Sequence, residues 1–180
     1  CLDKANMTIT VQPGMLLTEV AAAAAAEGLF YPPDPGEKTA SIGGNVITNA
    51  GGMRAVKYGV TRDYVMGLEL VLADGTVVMA GSKNRKDTSG LDLKEIVIGS
   101  EGTLAVITKC ILKLIPKPED SLSVLLSFDS LKAGIESVRQ IIQANLPYIN
   151  NTNFLSRLII NRIIILVLVQ IIVTRTHNYI

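Results

Sequence analysis

The sequence predicts an α+β fold, a mixed sheet with flanking helices. Three observations carry that reading. Short β-rich runs recur between residues 7 and 128, separated by turn-forming residues. Two segments, "MLLTEVAAAAAAEG" and "LKAGIESVRQIIQANL", have helical composition or spacing. One run, "YVMGLELVLADGTVVMAG", is written as a hairpin.

Taken in order, "MTITVQPG" is a short strand stopped by Pro13 and Gly14. The helix over residues 15–28 follows, because six consecutive alanines have the highest helix propensity and Gly28 suits the position just past a helix end. "YPPDPGEK" is a stiff connector whose prolines fix φ. After the hairpin, turned at Ala73-Asp74-Gly75, "SGLDLKEIVIG" forms a short helix capped by Ser89 or Asp92. "TLAVITKCILKLIPKP" is a long strand closed by Pro116 and Pro118. A further strand, "SLSVLLSFDS", precedes a helix capped by Asp129 or Ser130. Its apolar residues Leu131, Ile135, Val138, Ile141 and Ile142 make a one-sided stripe.

Charge excludes one class of partner. Lys+Arg 17 against Asp+Glu 16 leaves +1, so the basic footprint of a nucleic-acid binder is missing. Cys1 and Cys110 are too far apart for a metal or redox pair and read as two reduced thiols of a cytoplasmic protein. The N-terminus is polar, without a secretory signal, and its first residue, Cys1, suggests a fragment. "IIILVLVQIIV" at Ile163–Val173 is shorter than the roughly 20 residues a spanning helix needs, and Arg157, Asn161 and Arg162 precede it, so no transmembrane helix is expected.

The composition changes near Leu146. Residues 147–180 contain no glycine, alanine or acidic residue and show neither a helical nor an alternating period. This tail is left unassigned; a shifted reading frame would give the same look. The lone His177 lies in it and cannot build a metal site.

The chemistry is sought in the glycine-rich stretch "SIGGNVITNAGGMRAVKYG", Ser41–Gly59. Neither G-x-G-x-x-G nor the phosphate-loop pattern occurs. Gly43-Gly44-Asn45 and Asn49-Ala50-Gly51-Gly52 flank "VIT", enough for about one helical turn that can aim N–H groups at an anion or a flat ring. Asn45 and Asn49 share a face if the turn is helical. The competing reading is two tight turns closing a small-residue packing contact. A second cluster, "IGSEGTLAVIT", sets Gly99 and Gly102 around Glu101, whose plain alternative is a surface or capping carboxylate.

Three segments in register, "PPDPGEKTASIGGNVITNAGGMRAVKYG", "VMGLELVLADGTVV" and "RKDTSGLDLKEIVIGSEGTLAVITKCILKLIPKP", resemble the FAD-binding domain of the vanillyl-alcohol oxidase / para-cresol methylhydroxylase (PCMH) type. Within that type they are most similar to the group of glycolate oxidase, D-lactate dehydrogenase and D-2-hydroxyglutarate dehydrogenase. The resemblance runs from about Thr10 to Pro118 and more weakly to about Leu146. It implies a partial FAD-binding domain (its second subdomain) over residues 1–118 and the start of an α/β cap, or substrate, domain over 119–146. It also implies FAD as cofactor. Pro33 and Asp34 would line the flavin side; Ser41, Ile42, Gly43, Gly44 and Asn45 would approach the pyrophosphate and ribityl chain. Thr48, Asn49, Gly51, Gly52, Tyr58 and Gly59 would continue that wall, and Glu101, Gly102, Val106 and Ile107 would meet the ribityl or adenine portion. Lys86 is a weaker candidate. Ala105 stands where glycine is commoner in the resembled proteins.

The resemblance also sets what is missing. Nothing here matches the "RGGGT"-type loop of the resembled proteins, and the cap, which in them supplies the histidines, metal site and arginine that hold the hydroxy acid, begins here as a strand and a helix and runs into the tail. A pyrophosphate gripped from one side loses several charge-assisted hydrogen bonds, so this chain alone is expected to hold FAD weakly. No catalytic and no metal-binding residue is assigned. The intact parent is expected to oxidise a small D-2-hydroxy acid such as glycolate or D-lactate by hydride transfer to flavin. Its electrons would pass to a quinone, a cytochrome or an electron-transfer flavoprotein, in the cytoplasm or at a membrane periphery. The alternatives are another flavin oxidase of the same fold, and a non-catalytic remnant or interaction module.

Overall fold

Strand β2 (Thr8–Val11) is rich in β-branched residues, which suit a pleated surface packed on both sides. Thr8, Ile9 and Val11 are all buried. β2 lies second in a five-stranded sheet of order β1-β2-β6-β4-β5, with β1 at Leu2–Asp3, β4 at Val65–Val71, β5 at Val77–Gly81 and β6 at Val106–Lys113. The computed structural model describes residues 1–86, 88, 90–118, 122–126, 128–143, 156–157 and 166–171. They fall into two units, Cys1–Lys117 and Pro118–Ile180.

In the first unit the α+β class holds. The expected mixed sheet is corrected: every described strand pairing is antiparallel. The β4–β5 hairpin makes the reason local, since its tight loop can join only antiparallel neighbours. Thr76 N–H donates to Asp74 Oδ1, and Gly75 adopts φ +85°. β6, the longest strand among the described residues, pairs with β2 on one side and β4 on the other. It carries Cys110, Leu112 and, one residue beyond, Leu114 into the core opposite Leu68. Full burial of each such leucine contributes about 1.5–3 kcal/mol. Burial also pushes the Cys110 thiol up to about 12, so it stays a protonated core residue.

Helix α1 (Leu17–Ala26) uses its alanines to lie close to its neighbours, with Val20 and Ala24, one turn apart, fully buried. Glu19 accepts from the Leu16 N–H at 2.8 Å, and Gly28 at φ +72° ends the helix as its sequence indicates. After α1, β3 (Leu29–Phe30) pairs with β7 (Ile115–Pro116). The chain then runs through buried Tyr31–Pro35 to α2 (Ile42–Ile47), α3 (Ala55–Tyr58) and a 3₁₀ turn at Thr61–Tyr64. Helix α4 (Leu93–Val97) follows the hairpin, preceded by Asp92; Ser89 lies outside the described residues.

In the second unit β8 (Leu122–Leu126) is followed by helix α5 (Leu131–Gln143), where Ser130 Oγ accepts from the Ala133 N–H. Leu131 and Ile135, the first two members of the apolar stripe, are 53% and 62% exposed. β9 (Ser156–Arg157) and β10 (Leu166–Ile171) fall in the tail that periodicity left unassigned. β10 pairs antiparallel with β8, Val169 opposite Val124. "LVLVQI" is apolar at nearly every position, so the alternation that marks a half-buried strand is missing from it. His177 lies outside the described residues. Among those residues no helix is long and apolar enough to cross a membrane.

Candidate functional site

Helix α2 starts at a side-chain cap: Ser41 Oγ accepts from the Gly44 N–H at 3.1 Å. The other first-turn donors are also taken. Ile42 N–H donates to Met15 O at 2.9 Å and Gly43 N–H to Pro13 O at 2.7 Å. Ile42 is fully buried, and a Cβ on Gly43 would stand 2.6 Å from Pro13 Cβ. Glycine is therefore required at position 43 by the chain's own packing. Asn45, 4% exposed, keeps a buried Nδ2 with no partner among the described residues.

The end of α2 is built differently. Thr48 caps it, its Oγ1 donating to Gly44 O at 2.8 Å. Asn49 is left-handed at φ +47°, a conformation asparagine tolerates better than most residues. Asn45 and Asn49 consequently do not form the expected i, i+4 pair on one helical face: the helix has ended, and Asn49 Oδ1 accepts from the Arg62 N–H at 3.0 Å. Gly51 and Gly52 then run exposed. A Cβ on Gly52 would fall 1.9 Å from Asp34 O, so this glycine lets two loops touch. Asp34 is itself buried and paired with Lys38 and, at 3.4 Å, with Arg54. The Arg54 guanidinium lies 5.2 Å from the centre of the Phe30 ring, which meets Tyr58 edge-on at 5.9 Å. Burial raises the Tyr58 phenol above its ordinary pKa despite the opposing Arg54 charge, and its buried hydroxyl has no partner among the described residues. Gly59, at φ +87°, turns the chain so that Asp63 can accept from the Val60 N–H at 2.7 Å.

The second cluster meets the first here. Gly99 N–H donates to Val46 O at 3.1 Å and Glu101 N–H to Ile47 O at 2.9 Å. The Ile47 carbonyl at the end of α2 is thus satisfied by the turn before β6, and Val46 O, which also accepts from the Asn49 N–H at 3.1 Å, gains a second donor there. Gly99, Glu101 and Gly102 all have positive φ, at +84°, +56° and +76°. Glu101 is exposed and strained, a pattern common at binding sites. Val106 is 65% exposed while Ile107 is in the core: neighbours on a strand point to opposite faces. Pro33 is buried in the loop before α2, and Lys86 is exposed.

Among the sequence-derived candidates, the structure therefore bonds the Glu101 turn to the end of α2, at Ile47 O, with Asn49 next to Gly99. It places Ile42, Gly43 and Ile107 in packed positions. Charged residues that the motifs did not single out, Lys38, Arg54 and Arg62, hold these loops in place. A signal for Arg62 was present: a charged residue in "YGVTRDYV", between a glycine turn and a buried strand, needs a partner there. Among the described residues no three His, Cys, Asp or Glu side chains gather to hold a metal ion.

The fit to a flavin dinucleotide rests on the wall itself. Among the described residues the N–H groups of Gly51, Gly52, Met53 and Gly102, all exposed residues, have no hydrogen-bond acceptor. Asn45 Nδ2 and Ser100 Oγ are buried without partners in the same two segments. Bare main-chain donors and unpartnered polar atoms in the same segments suit a ligand rich in oxygen and ring nitrogen acceptors. The residues fit.

Comparisons with known proteins point the same way. A family model described as FAD binding domain matches residues 2–81. The chain is 47% identical over 146 residues to glycolate oxidase subunit GlcD of Bacillus subtilis (strain 168), covering 81% of this chain and 31% of that protein. It is 50% identical over 138 residues to D-lactate dehydrogenase of Anaerostipes hadrus, covering 77% and 29%. D-2-hydroxyglutarate dehydrogenase of Xanthomonas citri pv. viticola matches at 43% over 126 residues, covering 69% and 27%. The chain thus spans about a third of the length of these curated relatives. Solved alkyldihydroxyacetonephosphate synthase shares the fold at TM-score 0.70 and 24% identity, over 81% of this chain and 26% of that one.

Proposed function

We propose that this chain, whose residues 2–81 match the FAD binding domain family, supplies one wall of an FAD cradle to an enzyme that oxidises a D-2-hydroxy acid. The observation that carries the reading is the pair of hydrogen bonds from Gly99 and Glu101 to the end of α2, which sets two glycine-bearing segments side by side. The substrate class rests on the relatives, which are named for glycolate, D-lactate and D-2-hydroxyglutarate.

On this reading Gly51, Gly52, Met53 and Gly102 donate main-chain N–H groups to the cofactor, and Asn45 offers its unpartnered amide. Asp34, with Lys38 and Arg54, fixes the loop that Gly52 rests against. Ser41–Gly44 anchor the start of α2, with Ser41 and Gly44 half-buried at the edge of the wall. Tyr58 and Gly59 close the loop that returns to Arg62. Glu101 and Val106 present exposed surface beyond the turn, with Ile107 supporting it from the core. FAD, when bound, supplies the two-electron chemistry that takes the α-hydrogen of the hydroxy acid. Residues 1–118 form the cofactor part and 119–146 the beginning of the substrate part; the remainder of the parent supplies the groups that hold substrate. Its electrons leave to a quinone, a cytochrome or an electron-transfer flavoprotein, in the cytoplasm or at a membrane periphery.

Titration of the chain into FAD, followed by flavin fluorescence, tests the cofactor half of the reading. Weak but saturable binding is expected, because only one wall is provided; no saturable binding overturns it. Reduction of a dye by the intact parent with D-lactate, glycolate or D-2-hydroxyglutarate tests the rest. Failure with all three overturns the substrate class.

A further inference from the structure

The two segments of the cradle and helix α4 converge on Arg62. Its main-chain N–H donates to Asn49 Oδ1 at 3.0 Å, just past the end of α2. Its Nη2 donates to Ile98 O at 3.0 Å, immediately before Gly99. Its Nε lies 3.2 Å from Glu95 Oε2 on α4, an ionic contact rather than a well-directed hydrogen bond, since Nε is buried with no aligned acceptor among the described residues. One residue therefore ties together the end of α2, the approach to the 99–102 turn and the helix before it.

The turn needs such a tie. Gly99 and Glu101 reach the α2 carbonyls only from left-handed conformations, and a strained backbone persists where its surroundings over-determine it. A planar guanidinium can serve a carbonyl and a carboxylate together, whereas a lysine ammonium is a single point charge on a flexible stem. We propose that Arg62 is a positioning residue of the FAD cradle, holding the 99–102 turn against the end of α2 in the arrangement that receives the cofactor. This rests on the cradle reading above. Arg62 acts through Asn49, Ile98 and Glu95.

The test compares Arg62→Lys and Arg62→Gln with the unaltered chain, using Lys4→Gln as a surface-charge control. Amide hydrogen exchange is read at Gly99 and Glu101 against Cys110 and Leu112 of β6, and FAD affinity is read by fluorescence titration. Both Arg62 variants should unfold cooperatively and exchange at Gly99 and Glu101 about tenfold faster relative to β6. FAD affinity should fall about tenfold, with no rescue by lysine. Should Arg62 replacement prevent folding, Asn49→Gly keeps the left-handed residue, removes the acceptor, and should show the same changes to a smaller degree. Unchanged exchange at the two amides overturns the proposal, as does faster exchange with unchanged affinity, lower affinity with unchanged exchange, or full rescue by lysine. If the unaltered chain binds no FAD, the cradle reading falls, while the exchange data still decide whether Arg62 holds the turn.

Discussion

The two ends of α2 carry glycine pairs of similar appearance and opposite circumstances. At the start, Ile42, Gly43 and Gly44 have every N–H taken, by Met15 O, Pro13 O and Ser41 Oγ, and Gly43 is pressed onto Pro13. At the end, Gly51 and Gly52 are exposed and their N–H groups face no acceptor among the described residues. Yet Gly52 is also pressed onto Asp34. A glycine can thus be needed for self-contact, for an open donor, or for both at once. The packing alternative, one of two rivals on sequence alone, is realised at Gly43 and Gly52, while the unpaired N–H groups of Gly51 and Gly52 leave room for the proposed binding role.

The largest expected effect breaks the comparison at its shared point. Gly52→Ala should cost about 3 kcal/mol or more in denaturant unfolding, because its Cβ would meet rigid backbone of the Asp34–Pro35 loop. Gly43→Ala, against a proline ring, should cost less, about 1–3 kcal/mol. Equal, small losses in both would mean the loops relax freely and the self-contacts constrain nothing.

Gly51→Ala sharpens the contrast. Its Cβ would meet Val60 Cγ1 at 3.4 Å, an ordinary contact, so stability should change by about 0.5 kcal/mol or less. FAD affinity should nevertheless drop about tenfold, since a methyl group would stand on the open wall. Unchanged affinity in the fluorescence titration would remove Gly51 from the wall.

Glu101→Gly probes the turn. Relief of a left-handed non-glycine residue should raise stability by about 1 kcal/mol, read as a higher unfolding midpoint. A loss instead would show that the carboxylate makes a contact worth more than the strain.

The smallest effect lies away from the site. Hydrogen bonds from Lys109 and Thr108 hold the Glu69 carboxyl below its ordinary pKa. A depressed folded pKa contributes stability above the unfolded value of 4.5, and that contribution is lost as pH falls through the folded pKa. Glu69→Gln should therefore flatten the acid limb of the stability profile slightly and leave FAD affinity alone. An effect on FAD affinity would extend the cradle onto the sheet.

The two segments of the candidate site were legible in residue order. Three glycine-bearing motifs at set spacings pointed to the two segments that prove to be hydrogen-bonded together, since turn chemistry is local and glycine marks it. Asn49 and Ile107 show the limit. Whether Asn49 shares a helical face with Asn45 depends on where α2 stops, and that is settled by the Arg62 and Gly99 contacts that arrive from elsewhere in the chain. Ile107 looks like its neighbour Val106 until strand pairing assigns each a face.

By itself the sequence determined the longer elements before residue 144, the α+β class, the glycine turns and the likeness to flavin-binding proteins, because propensity, capping and turn chemistry act over a few residues. Only the tertiary structure decided that the sheet is antiparallel, which glycines the fold consumes and which it leaves open. It alone showed that Arg62 joins three segments. These depend on which distant atoms come within about 3 Å of each other, and a linear spacing does not encode that.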